Sequence, residues 1–377
     1  MNHKEKTFYV PLDWTILISM FSLILTSCNK NTPHQALTEK GHYLIMAQRP
    51  TPEGYPAVIV NNIAHIESQP FDGMFINSVA GWSLMNGHAV SYDSIYAEFS
   101  MLNGAFKKYT HNFIYIFIDY PGDFWDDTAW AITAQNFANM AKVAKTLGCK
   151  GIVYDNEEYR PKKWLNYGES YRNPKYDLLQ HRDQVILRGK QIVEAMTKEF
   201  PAIEIFNYHG PYLSEPNYHI PSIIFKQAGS WDECELLGPF FVGMMLGKGD
   251  SATVIDGGEV YQYRTEQEFK YSYDIRKYEI ASEETNSWFI PYTLRRSWPN
   301  EINISFGVYN RQWLPDYPMD SKIMKTTLLN ALKYTDKYVW YYTEDDSWLA
   351  PGKMPKEWLD VVTEAKKAQY VQANENP

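Results

Sequence analysis

The sequence is poor in the residues that mark several large protein classes. Three cysteines in 377 residues exclude a disulfide framework, and no two form a Cys-x-x-Cys pair. Neither a Gly-x-Ser-x-Gly elbow nor a Gly-Lys-Ser/Thr phosphate loop occurs, so hydrolase-elbow and nucleotide chemistries are unsupported. Positive charge is short as well. The 36 Lys and Arg face 45 Asp and Glu for a net charge of −9, which argues against nucleic acid as a partner. After residue 40 no repeat and no linker rich in Pro, Gly or Ser divides the chain, so 41–377 reads as one domain.

One apolar run stands out near the start. Lys4 and Lys6 precede Thr15–Leu25 (TILISMFSLIL), and Leu25-Thr26-Ser27-Cys28 follows. A membrane span needs about 20 apolar residues, so this shorter run reads as a secretory signal. Its ending resembles the bacterial lipoprotein motif, in which a Cys is lipidated and becomes the N-terminus. The resemblance implies a signal peptide over 1–28, lipidation at Cys28 and a tether over 29–40. It implies an exported protein held by lipid at the outer membrane or cell surface. Cys149 and Cys234, in apolar surroundings, read as free buried thiols.

What is abundant is aromatic: 29 Tyr, 18 Phe and 12 Trp. Many fall in short runs of Ile, Val, Phe and Tyr, as expected of strands buried on both faces. These runs are His42–Gln48, Phe71–Asn77, Asn112–Tyr120, Gly151–Glu157, Ile203–His209, Thr253–Tyr263, Ile302–Tyr309 and Tyr338–Glu344. Phe240–Leu246 competes for the sixth place. Between them lie helical patterns over Ala129–Leu147, Leu178–Phe200, Ser222–Leu246, Gln267–Trp288, Asp320–Tyr334 and Lys356–Ala368. The alternation predicts an α/β fold, a single (β/α)8 TIM barrel, with an open doubly wound sheet as runner-up. The open sheet usually carries a Gly-rich turn after its first strand, and here Ala47-Gln48-Arg49-Pro50 follows instead.

In such a barrel function sits where strands end. Those ends carry Asn77, Asp119, Asp155, Glu157, Asn207, Tyr208, His209, Glu259, Tyr261, Tyr263, Tyr309, Trp340 and Glu344. Acids among aromatics suit sugar chemistry: one carboxylic acid protonates the glycosidic oxygen, a second group stabilises the oxocarbenium-like centre, and flat rings hold the sugar. In Gly151-Ile152-Val153-Tyr154-Asp155-Asn156-Glu157, strand alternation points Asp155 and Glu157 into the barrel mouth and Asn156 away. Two carboxylates so close repel, so one holds its proton at neutral pH. Glu259 and Glu344 are candidate second carboxylates, and Glu158 reads as structural. Trp82, Trp125, Trp164, Trp231, Trp298, Trp313 and Trp348 lie in or beside loops, where sugar subsites or simple packing would place them. Asp123, Asp126 and Asp127 read as a solvated acidic loop, His219 as structural, and Arg295-Arg296 as part of the barrel's stability face.

The strand-4 pattern resembles that of glycoside hydrolase family 18, which ends this strand with Asp-Gly-x-Asp-x-Asp-x-Glu. The resemblance implies that Glu157 is the catalytic acid and that Asp155 orients a substrate acetamido group. It also implies that Trp340 forms the barrel floor and that Tyr261 or Tyr263 is the family's strand-6 Tyr. Val153 stands in place of the motif's first Asp, Asn156 in place of its usual Trp, and Tyr159 falls one place late. The wider pattern also resembles surface lipoproteins of gut Bacteroidetes labelled as glycoside hydrolases. The expectation is a cell-surface glycosidase that cleaves an oligo- or polysaccharide and needs no cofactor and no metal. Two rivals remain: a non-catalytic glycan-binding lipoprotein, and a metal-assisted hydrolase using Asp155, Glu157 and His209.

Overall fold

The computed structural model describes residues 42–158, 164–168, 173–215, 234–259, 261–312 and 318–375, the last seven by backbone only. Cys28 with the signal and tether, Tyr159, His219, Trp231 and Trp313 lie outside the described residues. The strands are β1 (Tyr43–Gln48), β2 (Gly73–Ile76), β3 (Phe113–Phe117), β4 (Gly151–Asp155), β5 (Glu204–Asn207), β6 (Thr253–Asp256), β7 (Ile302–Ile304), β8 (Phe306–Tyr309) and β9 (Tyr338–Thr343). All their pairings are parallel, in the order β7-β6-β5-β4-β3-β2-β1-β9-β8. The chain is a TIM barrel.

β7 and β8 are two halves of one strand that changes partner at Ser305. β7 pairs with β6, and β8 with β9. Ser305 spans the junction, its N–H donating to Asp256 O at 2.8 Å and its hydroxyl to Tyr338 O at 2.7 Å. The seventh strand expected as one run is therefore broken where the barrel closes.

The principal helices are α1 (Pro56–Ile66), α2 (Tyr92–Phe99), α3 (Asp127–Thr146), α4 (Leu178–Glu199), α5 (Leu237–Gly247), α6 (Glu266–Lys277), α7 (Tyr292–Arg295), α8 (Trp298–Glu301), α9 (Ser321–Tyr334) and α10 (Lys356–Glu375). Their starts follow capping chemistry. Asp126 caps α3, and capping boxes start α4 (Asp177, Gln180) and α6 (Thr265, Glu268). Two expected helices are shorter than their patterns. The stretch 267–288 stops at Lys277, and only Leu237–Gly247 is helical in the described part of 222–246.

Phe240–Leu246 belongs to α5 and not to a strand. This helix is buried nearly all round, so it shows no amphipathic period to separate it from a buried strand. It lies so close to α4 that a Cβ on Gly243 would sit 2.2 Å from Ile186 O. β6 ends at Asp256, well before Tyr263, because Gly257-Gly258 breaks the strand. Gly258 adopts φ +57°, and a side chain there would strike Arg276 and Ser305 O.

The core has two layers. Ile45, Phe75, Phe113, Tyr115, Val153, Phe206, Tyr208, Tyr261, Tyr309, Tyr338 and Trp340 fill the barrel, and a larger apolar layer lies between strands and helices. Behind β6, Asp256 and Arg276 form an ion pair at 2.6 Å with neither side chain exposed. Removing one partner of such a pair leaves a buried uncompensated charge. Arg276→Met is expected to lower unfolding stability by about 3–5 kcal/mol in urea titration; a loss under about 1 kcal/mol would contradict this role.

Candidate active site

Three strand ends bring the site together at the C-terminal mouth. Glu157 follows β4, His209 follows β5, and Glu259 follows the Gly257-Gly258 turn after β6. The Glu259 N–H donates to Tyr208 O at 3.2 Å, and Glu259 bridges Gly307 of β8. His209 Nε2 lies 3.5 Å from Glu157 Oε1 and 3.1 Å from Glu259 Oε2. One donor atom from each of the three residues falls within a 4.8 Å cluster. Glu157 is the most open, with 13% of its side chain exposed, against 8% for Glu259 and 6% for His209.

The charges decide protonation. Burial alone lowers the His209 pKa, but the adjacent Glu157 and Glu259 carboxylates outweigh it and raise the pKa to about 10. The ring is thus an imidazolium at neutral pH. Its Nδ1 lies 3.5 Å from the Tyr212 hydroxyl. The three donors could take a divalent cation only by giving up that proton. Asp155, included in the metal-assisted reading of the sequence, is not part of this donor set.

Asp155 lies beneath, 4% exposed. Its Oδ2 accepts from the Tyr115 hydroxyl, and its Oδ1 accepts from Glu157 N at 3.0 Å. Burial, then the charge of Glu157, raises its pKa well above the carboxylate range, while the Tyr115 hydrogen bond opposes that shift. Each oxygen thus accepts one hydrogen bond from within the protein. Tyr115, which sequence reasoning passed over, was findable: it shares interior parity with Phe113 and pairs with Val153.

The other expected residues divide clearly. Tyr208 stacks on Trp340 with ring centres 4.6 Å apart, and the Trp340 indole donates to Gly257 O at 2.8 Å. Tyr261 stacks on Tyr342 at 5.7 Å and lies 5.1 Å from Tyr309. These rings form an aromatic floor inside the barrel. Asn77, buried just after β2, donates its N–H to Gly54 O at 3.0 Å, and Asp119, two residues after β3, accepts from Tyr120 N at 2.7 Å.

Three of the expected site residues lie elsewhere. Asn207 sits between inward-facing Phe206 and Tyr208, so it faces the helix layer, its amide 3.4 Å from Ile255 O. Tyr263 packs against Phe269 in the helix layer and not in the barrel. Glu344 stays on the rim, accepting from the Tyr309 hydroxyl at 3.0 Å and pairing with Arg49 at 3.6 Å. Trp164, Trp298 and Trp348 are core residues. The acidic loop is structural: Asp126 caps α3, Asp127 pairs with Arg188, and Asp123 accepts from Asn173 at 2.7 Å. Glu158 receives the backbone N–H groups of Trp164 and Leu165 at 2.8 and 3.0 Å. Arg295 clips Ile290, Asn286 and Ser287.

No protein-family model matches the chain, and no curated protein matches its sequence. Solved structures match it in fold. An exo-β-1,4-mannosidase from Opitutaceae bacterium strain TAV5 aligns over 89% of this chain and 62% of its own, at 10% identity and TM-score 0.52. A glycoside hydrolase family 18 chitinase from Pseudoalteromonas aurantia aligns over 85% and 99%, at 9% identity and TM-score 0.42. A rubisco-like protein from Burkholderia fungorum aligns over 90% and 63%, at 9% identity and TM-score 0.42. At these identities the likeness is one of fold, a TIM barrel that glycoside hydrolases share with other proteins.

His209 gives the site a pH signature. Its folded pKa of about 10 lies above the ordinary 6.5, so its charge stabilises the fold fully below 6.5 and less as pH rises toward 10. The stability advantage of the wild type over His209→Gln, from urea unfolding, is expected to shrink across that window. An advantage that grows with pH would contradict the assignment.

Proposed function

We propose that the protein is a glycoside hydrolase that retains anomeric configuration, with Glu157 as general acid/base and Glu259 as nucleophile. The observation that carries this reading is the pairing of Glu157 and Glu259 from separate strand ends, with donor oxygens within 4.8 Å above a floor of stacked rings. Carboxyl groups about 5–5.5 Å apart suit retention, and those about 6.5–9.5 Å apart leave room for the water of inversion. Glu157, the more exposed, would meet the leaving group, and Glu259, deeper, the anomeric carbon.

In the first step Glu259 forms a bond to the anomeric carbon as the glycosidic C–O bond breaks. Glu157 gives its proton to the departing oxygen, and His209 Nε2, 3.5 Å away, can supply that proton. Water then attacks the same carbon, releases Glu259 and returns a proton to Glu157.

The substrate is an oligo- or polysaccharide, and export with a lipid anchor at Cys28 places it outside the cell. The signal over 1–28, the tether over 29–40 and the barrel over 41–377 complete the proposed organisation.

Across a panel of nitrophenyl glycosides and polysaccharides, Glu157→Gln and Glu259→Gln are each expected to lower kcat by about 10²–10⁴-fold. Proton NMR of the first product should show retained configuration, and chelator should leave turnover unchanged. Inverted product, turnover abolished by chelator and restored by a divalent ion, or binding without turnover by the wild type would each overturn the reading.

A further inference from the structure

The way His209 reaches the site is itself unusual. The β4–β5 ladder runs to the pair Tyr154 and Asn207, and Tyr208 N donates to Tyr154 O at 3.2 Å. Asn156 and His209 stand at the opposed positions two residues further on. Phe206 and Tyr208 face into the barrel, so continued alternation would turn His209 out of it. The backbone pairing is instead replaced by a side chain. Asn156 Oδ1 accepts from His209 N at 2.9 Å, and Asn156 Nδ2 donates to His209 O at 2.8 Å.

A planar carboxamide that takes both groups of one residue imitates a strand partner and fixes how that residue is turned. Asn156 and His209 are each 4% exposed, so water does not readily replace these bonds. With the backbone so held, the imidazole lies between Glu157 and Glu259, with Tyr212 at its far nitrogen. Asp155 lies behind Glu157, and Arg276, paired with Asp256, lies over the Tyr212 ring at 5.5 Å. Asn156 directly precedes Glu157, so one strand end supplies both the acid and the group that seats the acid's cationic neighbour.

We infer that Asn156 is a positioning residue of the site, acting through the His209 backbone, and that without its carboxamide the imidazole leaves its place between Glu157 and Glu259. This rests on the glycosidase reading for its catalytic meaning but not for its geometry. A residue needed only for folding would change stability and leave the histidine's environment intact in any variant that folds.

The test is the titration of His209 in the full chain carrying ring-labelled histidine, with the signal assigned by its loss in His209→Gln. Two variants are compared with the wild type. Asn156→Ala removes the carboxamide, and Asn156→Leu removes its hydrogen bonds while nearly keeping its volume. Each is expected to keep wild-type near-UV dichroism while the His209 midpoint falls by about one pH unit or more toward the ordinary histidine value. An unchanged midpoint in either folded variant overturns the inference. In the wild type, the His209 amide is expected to exchange slowly with solvent because Asn156 Oδ1 holds it, and fast exchange there overturns the inference without any variant. An unshifted titration would leave Glu157 and Glu259 standing as the catalytic pair. Failure of the glycosidase reading would leave the titration result standing.

Discussion

Everything at the barrel mouth depends on one electrostatic arrangement, a buried imidazolium between two carboxylates. Glu157 and Glu259 come from different strand ends, and His209 lies 3.5 and 3.1 Å from them. Two carboxylates this close in a low-dielectric setting repel strongly. The ring offsets that repulsion and is itself driven to an unusually high pKa. The surroundings serve this group. Asn156 holds its backbone, Tyr212 meets its far nitrogen, and the Gly257-Gly258 turn delivers Glu259.

The barrel supplies the floor beneath. Trp340 lies flat on Tyr208 and is fastened by its indole N–H to the same turn that carries Glu259. The turn that carries Glu259 therefore also fixes the Trp340 ring of the floor. Close behind lies the buried Asp256–Arg276 pair, whose guanidinium also donates to Ser305 O at 3.0 Å where β7 and β8 meet. Fold closure and site geometry thus share residues, which ties the stability of the sixth and seventh strands to the position of the second carboxylate.

Much of this was legible in the sequence, and the losses have physical causes. The barrel was readable because β-rich runs alternate with capped helices. Asp155 was readable because period-two alternation is reliable inside a strand, and Glu157 follows two residues beyond the end of β4. Alternation misled beyond strand ends. It placed Tyr263 within the site, whereas β6 stops at Asp256 and the chain turns. It had no means of predicting that a carboxamide would take the place of backbone pairing. Residue type alone could not separate Glu259 from Glu344, because that choice depends on the Gly-Gly turn against a rim contact with Arg49. The aromatic load divides in the same way, with Tyr208, Tyr261 and Trp340 in the barrel and Trp298 and Trp348 in the outer core.

The central claim is that Glu259 is the nucleophile of a retaining pair with Glu157. It is tested most directly by trapping. A panel of activated 2-deoxy-2-fluoro glycosides, which slow the second step, would be incubated with the protein, followed by proteolysis and peptide mass spectrometry. The account predicts a single glycosyl adduct, located on Glu259 and absent from Glu259→Gln. An adduct on any other carboxylate, or turnover of these reagents with no adduct at all, would contradict it.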